Sequence, residues 1–124
     1  MYPQDRAAVL FAAANGFAAV ALGAFAAHAV SDPQAVAWLR TGSAYQLAHA
    51  VAALACAGRS RTAALLMNLG AAVFAATLYA MALGGPRVLG AVTPVGGVLM
   101  LAGWAVLAWT ALRTKTPPHE KLDG

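Results

Sequence analysis

The sequence predicts an all-α membrane protein: four transmembrane helices in an antiparallel bundle, with both termini cytoplasmic. Three observations predict it. The 124 residues are 61% hydrophobic and 10% charged, whereas soluble domains carry charge on roughly a quarter of their residues. The apolar residues fall into four long stretches divided by short polar breaks, and at ~1.5 Å per residue such stretches approach the ~30 Å depth of a hydrocarbon core. The basic residues gather at the ends of alternate stretches, as the positive-inside bias requires.

The first helix is expected over about residues 7–28, between Asp5-Arg6 and Ser31-Asp32-Pro33. Arg6, the apolar run and the Ala27-His28-Ala29 triplet together imitate a secretory signal. The run is longer than the ~7–15 apolar residues of a signal, and Asn15-Gly16 interrupts it, so a retained helix is expected. The second helix is expected over about 35–58: Pro33 suits a first turn, and Ser31 or Asp32 suits a cap. Trp38 and Arg40 then fall at the interface as an aromatic anchor and a snorkelling cation. The third, about 62–83, follows the tight loop Arg59-Ser60-Arg61 and stops at Gly84-Gly85-Pro86. The fourth runs over about 92–112. Residues 1–112 thus form one transmembrane domain, and the charged, proline-bearing 113–124 reads as a flexible cytoplasmic tail. Arg6, Arg59, Arg61, Arg113, Lys115 and Lys121 lie on one side and Arg40 and Arg87 on the other, which sets the orientation.

The run TGSAYQLAHAVAALACAG, residues 41–58, looks apolar enough to span, yet it contains Tyr45, Gln46 and His49. Spacings of three and four residues put Gly42, Tyr45, Gln46, His49, Ala53 and Cys56 on one face, with Leu47, Val51 and Leu54 opposite, facing lipid. Polar groups are costly in hydrocarbon, so the mixed face should point inward. Matching stripes are Ala12, Asn15, Gly16, Ala19 and Gly23 on the first helix, Gly70, Phe74, Thr77 and Met81 on the third, and Gly96, Gly97, Met100, Gly103 and Leu107 on the fourth. Small residues let transmembrane backbones approach, so Gly16, Gly23, Gly96, Gly97 and Gly103 are expected at helix contacts.

Depth counting places His49 midway between Arg40 and Arg59, and Asn15 roughly 13 Å in from Arg6. The expected pairs are therefore Asn15 with His49, directly or through a water, and Gln46 with Thr77. Asn15, Tyr45, Gln46, His49 and Thr77 form the expected buried polar cluster.

Several chemistries find no support. His28 sits roughly 15 Å above His49 along the membrane normal, too far to share a haem iron or zinc. Glu-x-x-His, His-x-x-Glu-His and Cys-x-x-Cys spacings are missing, and Cys56 is the single cysteine. The apolar stretches contain no carboxylate to orient a histidine for acid–base or nucleophilic work. Thr93-Pro94-Val95-Gly96-Gly97 lacks the Lys and Ser/Thr of a phosphate loop and reads as a helix entry. The net charge of +4 is dispersed rather than striped, which argues against nucleic acid. No catalytic, metal or cofactor site is expected. The expected partners are the bilayer and a homo-oligomer or membrane complex.

Gly23-Ala24-Phe25-Ala26-Ala27-His28, Thr41-Gly42 with Tyr45-Gln46 and His49, Leu78-Tyr79, Thr93-Pro94-Val95-Gly96-Gly97 and Leu101-Ala102-Gly103-Trp104 resemble the motifs of the domain of unknown function 423 family. That family comprises YgdD-like bacterial inner-membrane proteins and the eukaryotic transmembrane protein 256, and the resemblance spans about residues 7–112. It implies a four-helix membrane protein of unestablished activity. Relatives often carry Ser-Gly-Ser where this chain has Ala75-Ala76-Thr77, which weighs against a mechanism that needs a serine there. The family motifs coincide with His28, Tyr45, Gln46, His49, Tyr79, Thr93 and Trp104, and His28, Tyr79 and Thr93 make up a candidate outer-face motif. The expected function is a non-enzymatic accessory or oligomeric inner-membrane component. A proton or small-solute transporter, with polar residues of helices one to three lining the path, and an accessory subunit of a redox complex are the alternatives.

Overall fold

A computed structural model describes residues 3–114, so most of the expected tail lies outside the described residues. The described chain is helical: α1 (Pro3–His28), α2 (Pro33–Cys56), α3 (Arg61–Ala82), a short 3₁₀ turn (Arg87–Ala91) and α4 (Thr93–Arg113). The sequence-based bounds differ from these by a turn or so at most, except that the 3₁₀ turn falls where plain loop is expected.

Local chemistry explains where the helices stop and start. Asp32 caps α2 by accepting from the Ala35 amide at 2.9 Å, with Pro33 in the first turn where its missing N–H costs nothing. Ser60 caps α3 in the same way, accepting from the Ala63 amide at 3.1 Å. α3 ends on Gly84, whose φ of +99° few side-chain-bearing residues adopt. That turn lets the Gly85 amide reach the Ala80 carbonyl at 2.7 Å and satisfy one of the orphan carbonyls. Pro86 then prevents the helix from resuming.

α3 is the central element: it packs against α2 and α4, and touches α1. Contacts run in opposite directions along α1–α2, α2–α3 and α3–α4, so successive helices are antiparallel, while α1 and α3 run parallel. The bundle does not close into a ring, because α1 has no packed interface with α4. The expected four antiparallel helices are present, with α3 rather than a closed ring holding them together. The cause lies in α4, whose buried residues are Gly96, Met100 and Gly103 alone, a narrow stripe that one neighbour covers.

Glycine sets the closest approaches. A Cβ at Gly96 would lie 2.5 Å from the Phe74 amide nitrogen, and one at Gly70 would lie 2.7 Å from the Met100 nitrogen, so α3 and α4 cross backbone to backbone. Gly103 lies over Met67 and Ala63, Gly42 against Tyr79, and Gly23 against Ser43. Gly16 and Gly97, expected at contacts, are not where the backbones come closest: a Cβ at either position would meet nothing within 4 Å. Each is one residue off the stripe that includes Asn15 or Gly96, which turns it about 100° away. At the α2–α3 interface Ala53, Cys56, Ala63, Ala64 and Met67 form a tight apolar cluster.

Among the described residues three helices are long and apolar enough to cross a membrane: Arg6–His28, Arg61–Ala82 and the Arg87–Arg113 segment. α2 does not reach that level, contrary to the reading of residues 41–58, because the same helix also contains Arg40, Gln46 and His49. Outward-facing Leu47, Val51 and Leu54 keep one side of it apolar.

Gly96→Ala should lose about 1–3 kcal/mol of stability in detergent through overpacking, while Gly97→Ala should change it by less than about 0.5 kcal/mol. Unfolding of each variant, followed by circular dichroism, checks both.

Candidate functional site

The interior contains a directional chain of hydrogen bonds. The Tyr79 hydroxyl on α3 donates to Gln46 Oε1 on α2 at 2.6 Å. Gln46 Nε2 donates to Asn15 Oδ1 on α1 at 2.9 Å. Asn15 Nδ2 donates back to α3, to the Asn68 carbonyl at 3.0 Å and to Asn68 Oδ1 at 3.1 Å. Asn15, Gln46 and Asn68 are all buried. Helical spacing produces this meeting: Asn15 follows Ala12 and precedes Ala19 on the buried stripe of α1, and Gln46 lies one turn from Gly42. Gly42 in turn admits the Tyr79 ring, since a Cβ there would fall 2.8 Å from Tyr79 Cε1. A further bond, from Ser43 Oγ to the Ala19 carbonyl at 2.8 Å, ties α1 to α2.

His49 stands apart from this chain. Its Nδ1 donates to the Tyr45 carbonyl at 2.8 Å, and its Nε2 accepts from Trp104 Nε1 on α4 at 3.0 Å. Because both bonds form together only with the hydrogen on Nδ1, they assign the neutral Nδ1–H tautomer. The Tyr45 ring stacks along His49 and tilts against Phe74, with centroids 6.3 and 5.2 Å apart. These aromatics border a lateral recess of about 560 Å³ between α2 and α4, floored in part by the bare Gly97.

Several expected placements are corrected. Asn15 does not pair with His49, because His49 is rotated toward α4 while Gln46 holds the position facing α1. Gln46 does not pair with Thr77, which donates to the Phe74 carbonyl at 2.9 Å and shares a 2.7 Å hydroxyl contact with Thr93. Tyr45 is not a buried polar residue: it is 51% exposed, and its ring rather than its hydroxyl makes the contacts. The candidate outer-face residues lie toward one end of the helices and make no hydrogen bond with one another. Tyr79 belongs to the inner chain, Thr93 bonds Thr77, and His28 is exposed at the end of α1.

Asn68 is the residue that sequence reasoning missed. It is 1% exposed and sits mid-span, and the signal was available: a lone amide in an otherwise apolar helix, at a depth similar to that of Asn15. Among the described residues every fully buried side-chain nitrogen or oxygen has a partner, and no three His, Cys, Asp or Glu side chains converge.

Comparison with known proteins points to one family. The family model described as "Protein of unknown function (DUF423)" matches residues 22–97. The UPF0382 inner membrane protein YgdD of Escherichia coli K12 is 40% identical over 122 residues, covering 90% of this chain and 93% of the relative. A UPF0382 membrane protein of Haemophilus influenzae is 40% identical over 84% of this chain and 92% of its own length. One from Staphylococcus epidermidis is 33% identical over 85% and 94%. No solved structure matches the chain.

A double-mutant cycle between Asn15→Leu and Gln46→Leu should give a coupling of about 0.6–2 kcal/mol, and one between Asn15→Leu and His49→Leu less than about 0.5 kcal/mol. Unfolding free energies of the single and double variants measure both.

Proposed function

The chain belongs to the family of unknown function DUF423, and on that footing we propose that it is a non-enzymatic component of the bacterial inner membrane that acts by association, with itself or with a larger complex. Its four helices all span, and both termini lie in the cytoplasm. Positive-inside charge supports the orientation, with Arg6, Arg59, Arg61, Arg113, Lys115 and Lys121 on the cytoplasmic side against Arg40 and Arg87 on the other. α2 spans because Gln46 is covered by α1 and α3 and His49 by Trp104 of α4, while Leu47, Val51 and Leu54 face outward.

One observation carries the reading: the interior polar side chains bond across helices in three groups, with the Asn68 amide nitrogen left over. Tyr79, Gln46, Asn15 and Asn68 join helices, His49 and Trp104 join another pair, and Thr77 and Thr93 a third. These three groups are separate, so the residues expected to line a path do not line a continuous one. Interhelical bonds of this type suit a scaffold held in one shape for a partner.

Two experiments test it. Native mass measurement in nanodiscs should find a homo-oligomer or a co-purified membrane partner; a bare monomer, with proton or solute flux in proteoliposomes that His49→Ala abolishes, contradicts the reading. For the spans, single cysteines replacing Ser31, Arg59 and Val88 in a Cys56→Ser background are exposed to an impermeant maleimide in intact spheroplasts. Positions 31 and 88 should label and position 59 should not; labelling of 31 and 59 alike would show that α2 does not span.

A further inference from the structure

A second recess lies at the opposite side of the polar chain from the His49–Trp104 pair. It is a slot of about 350 Å³ between α1 and α3, within the roughly 300–1,000 Å³ range of ligand pockets. Ala8, Phe11 and Leu65 form its walls, Arg61 and Thr62 its rim, and Asn68 its floor.

Among the described residues the donors in this slot have no acceptor. Ser60 satisfies the Ala63 amide, which leaves the amides of Arg61 and Thr62, at the first turn of the 22-residue α3, without intrahelical acceptors. The positive end of the helix dipole and the exposed Arg61 guanidinium coincide there. Deeper in, Asn68 Oδ1 accepts from Asn15, while its amide nitrogen donates to no described residue. Fully buried side-chain nitrogens all have partners, so this nitrogen is the part of the nearly inaccessible Asn68 that the slot reaches. It is also the last donor of the chain that starts at Tyr79, and aligned bonds polarise one another toward stronger donation.

We propose that the slot binds an anionic glycerophospholipid. Its occupant must offer negative charge at the rim, a hydrogen-bond acceptor about 10 Å further in beside Asn68, and apolar surface against Phe11 and Leu65. A phosphate-bearing headgroup, ester carbonyls and acyl chains meet these three demands in that order. Arg61 and the free amides hold the headgroup, the Asn68 amide donates to an ester carbonyl, and the chains run down the α1–α3 seam into the bilayer. The lipid thereby completes the donor chain and braces α1, which has no interface with α4. That the lipid comes from the cytoplasmic leaflet rests on the orientation proposed above; that it binds does not.

Native mass spectrometry of the intact protein, titrated with phosphatidylglycerol or phosphatidylcholine of matched chains, tests the site. Phosphatidylglycerol should bind about tenfold more tightly, and Arg61→Gln should remove about fivefold of that preference. Ala8→Phe, which fills the slot, should abolish the tight site while leaving the helical circular dichroism unchanged. Equal affinity for the two lipids, a preference untouched by both substitutions, or displacement of the lipid by millimolar inorganic phosphate would each overturn the proposal. If the maleimide pattern inverts while the lipid preference stands, the orientation fails and the site remains.

Discussion

The structure depends on the run of hydrogen bonds from Tyr79 through Gln46 and Asn15 to Asn68. In hydrocarbon an unsatisfied polar group costs several kcal/mol, so these side chains specify which helix faces turn inward and at what height. Each link joins two different helices, and α3 contributes both ends. Sliding α1 or α2 by one turn, about 5.4 Å, would orphan at least one amide. Apolar packing between alanine-lined faces has no such preference for register. The polar chain therefore selects the register, and the small residues allow helices close enough for it to form.

That division of labour explains the choice of residue at the crossings. Bulk at Gly42 would displace the Tyr79 ring that begins the chain, and bulk at Gly70 or Gly96 would separate α3 from α4. Without that approach Trp104 would lose His49 as an acceptor. The His49–Trp104 pair then ties the peripheral α4 to α2, a helix with which it shares little backbone contact. A histidine in the membrane thus has a structural account: both ring nitrogens are engaged, and the tautomer that engages them is neutral.

Much of the architecture was legible in the sequence because it follows from periodicity and punctuation. Asp32-Pro33, Ser60 and Gly84-Gly85-Pro86 mark helix ends through capping and turn chemistry that acts locally. The inward faces of α1 and α2 followed from spacing, apart from Gly16 and Tyr45 at their margins. Pairing was less legible. Depth counting found the right layer and not the right partner, since Gln46 and His49 are about 4.5 Å apart in height, less than one turn, and differ by about 60° in heading around α2, three residues at ~100° each. Choosing between them requires knowing which neighbour lies on which side, and that is settled by long-range contacts such as Gly70 against Gly96. Tyr79 came into view only through the family motif, and the notch at Gly42 that lets its hydroxyl reach Gln46 is a tertiary feature. Asn68 could have been found, as any amide isolated in an apolar helix asks for a partner.

The central claim is that four side chains on three helices behave as one polarised chain, separate from His49. Side-chain ¹⁵N–¹H spectra of the protein in nanodiscs, labelled at asparagine, glutamine and histidine, test it most directly when recorded with and without Tyr79→Phe. Loss of the first donor should shift the side-chain amides of Gln46, Asn15 and Asn68 together and leave the His49 ring nitrogens in place. A shift confined to Gln46, or one that appears at His49, would contradict the account.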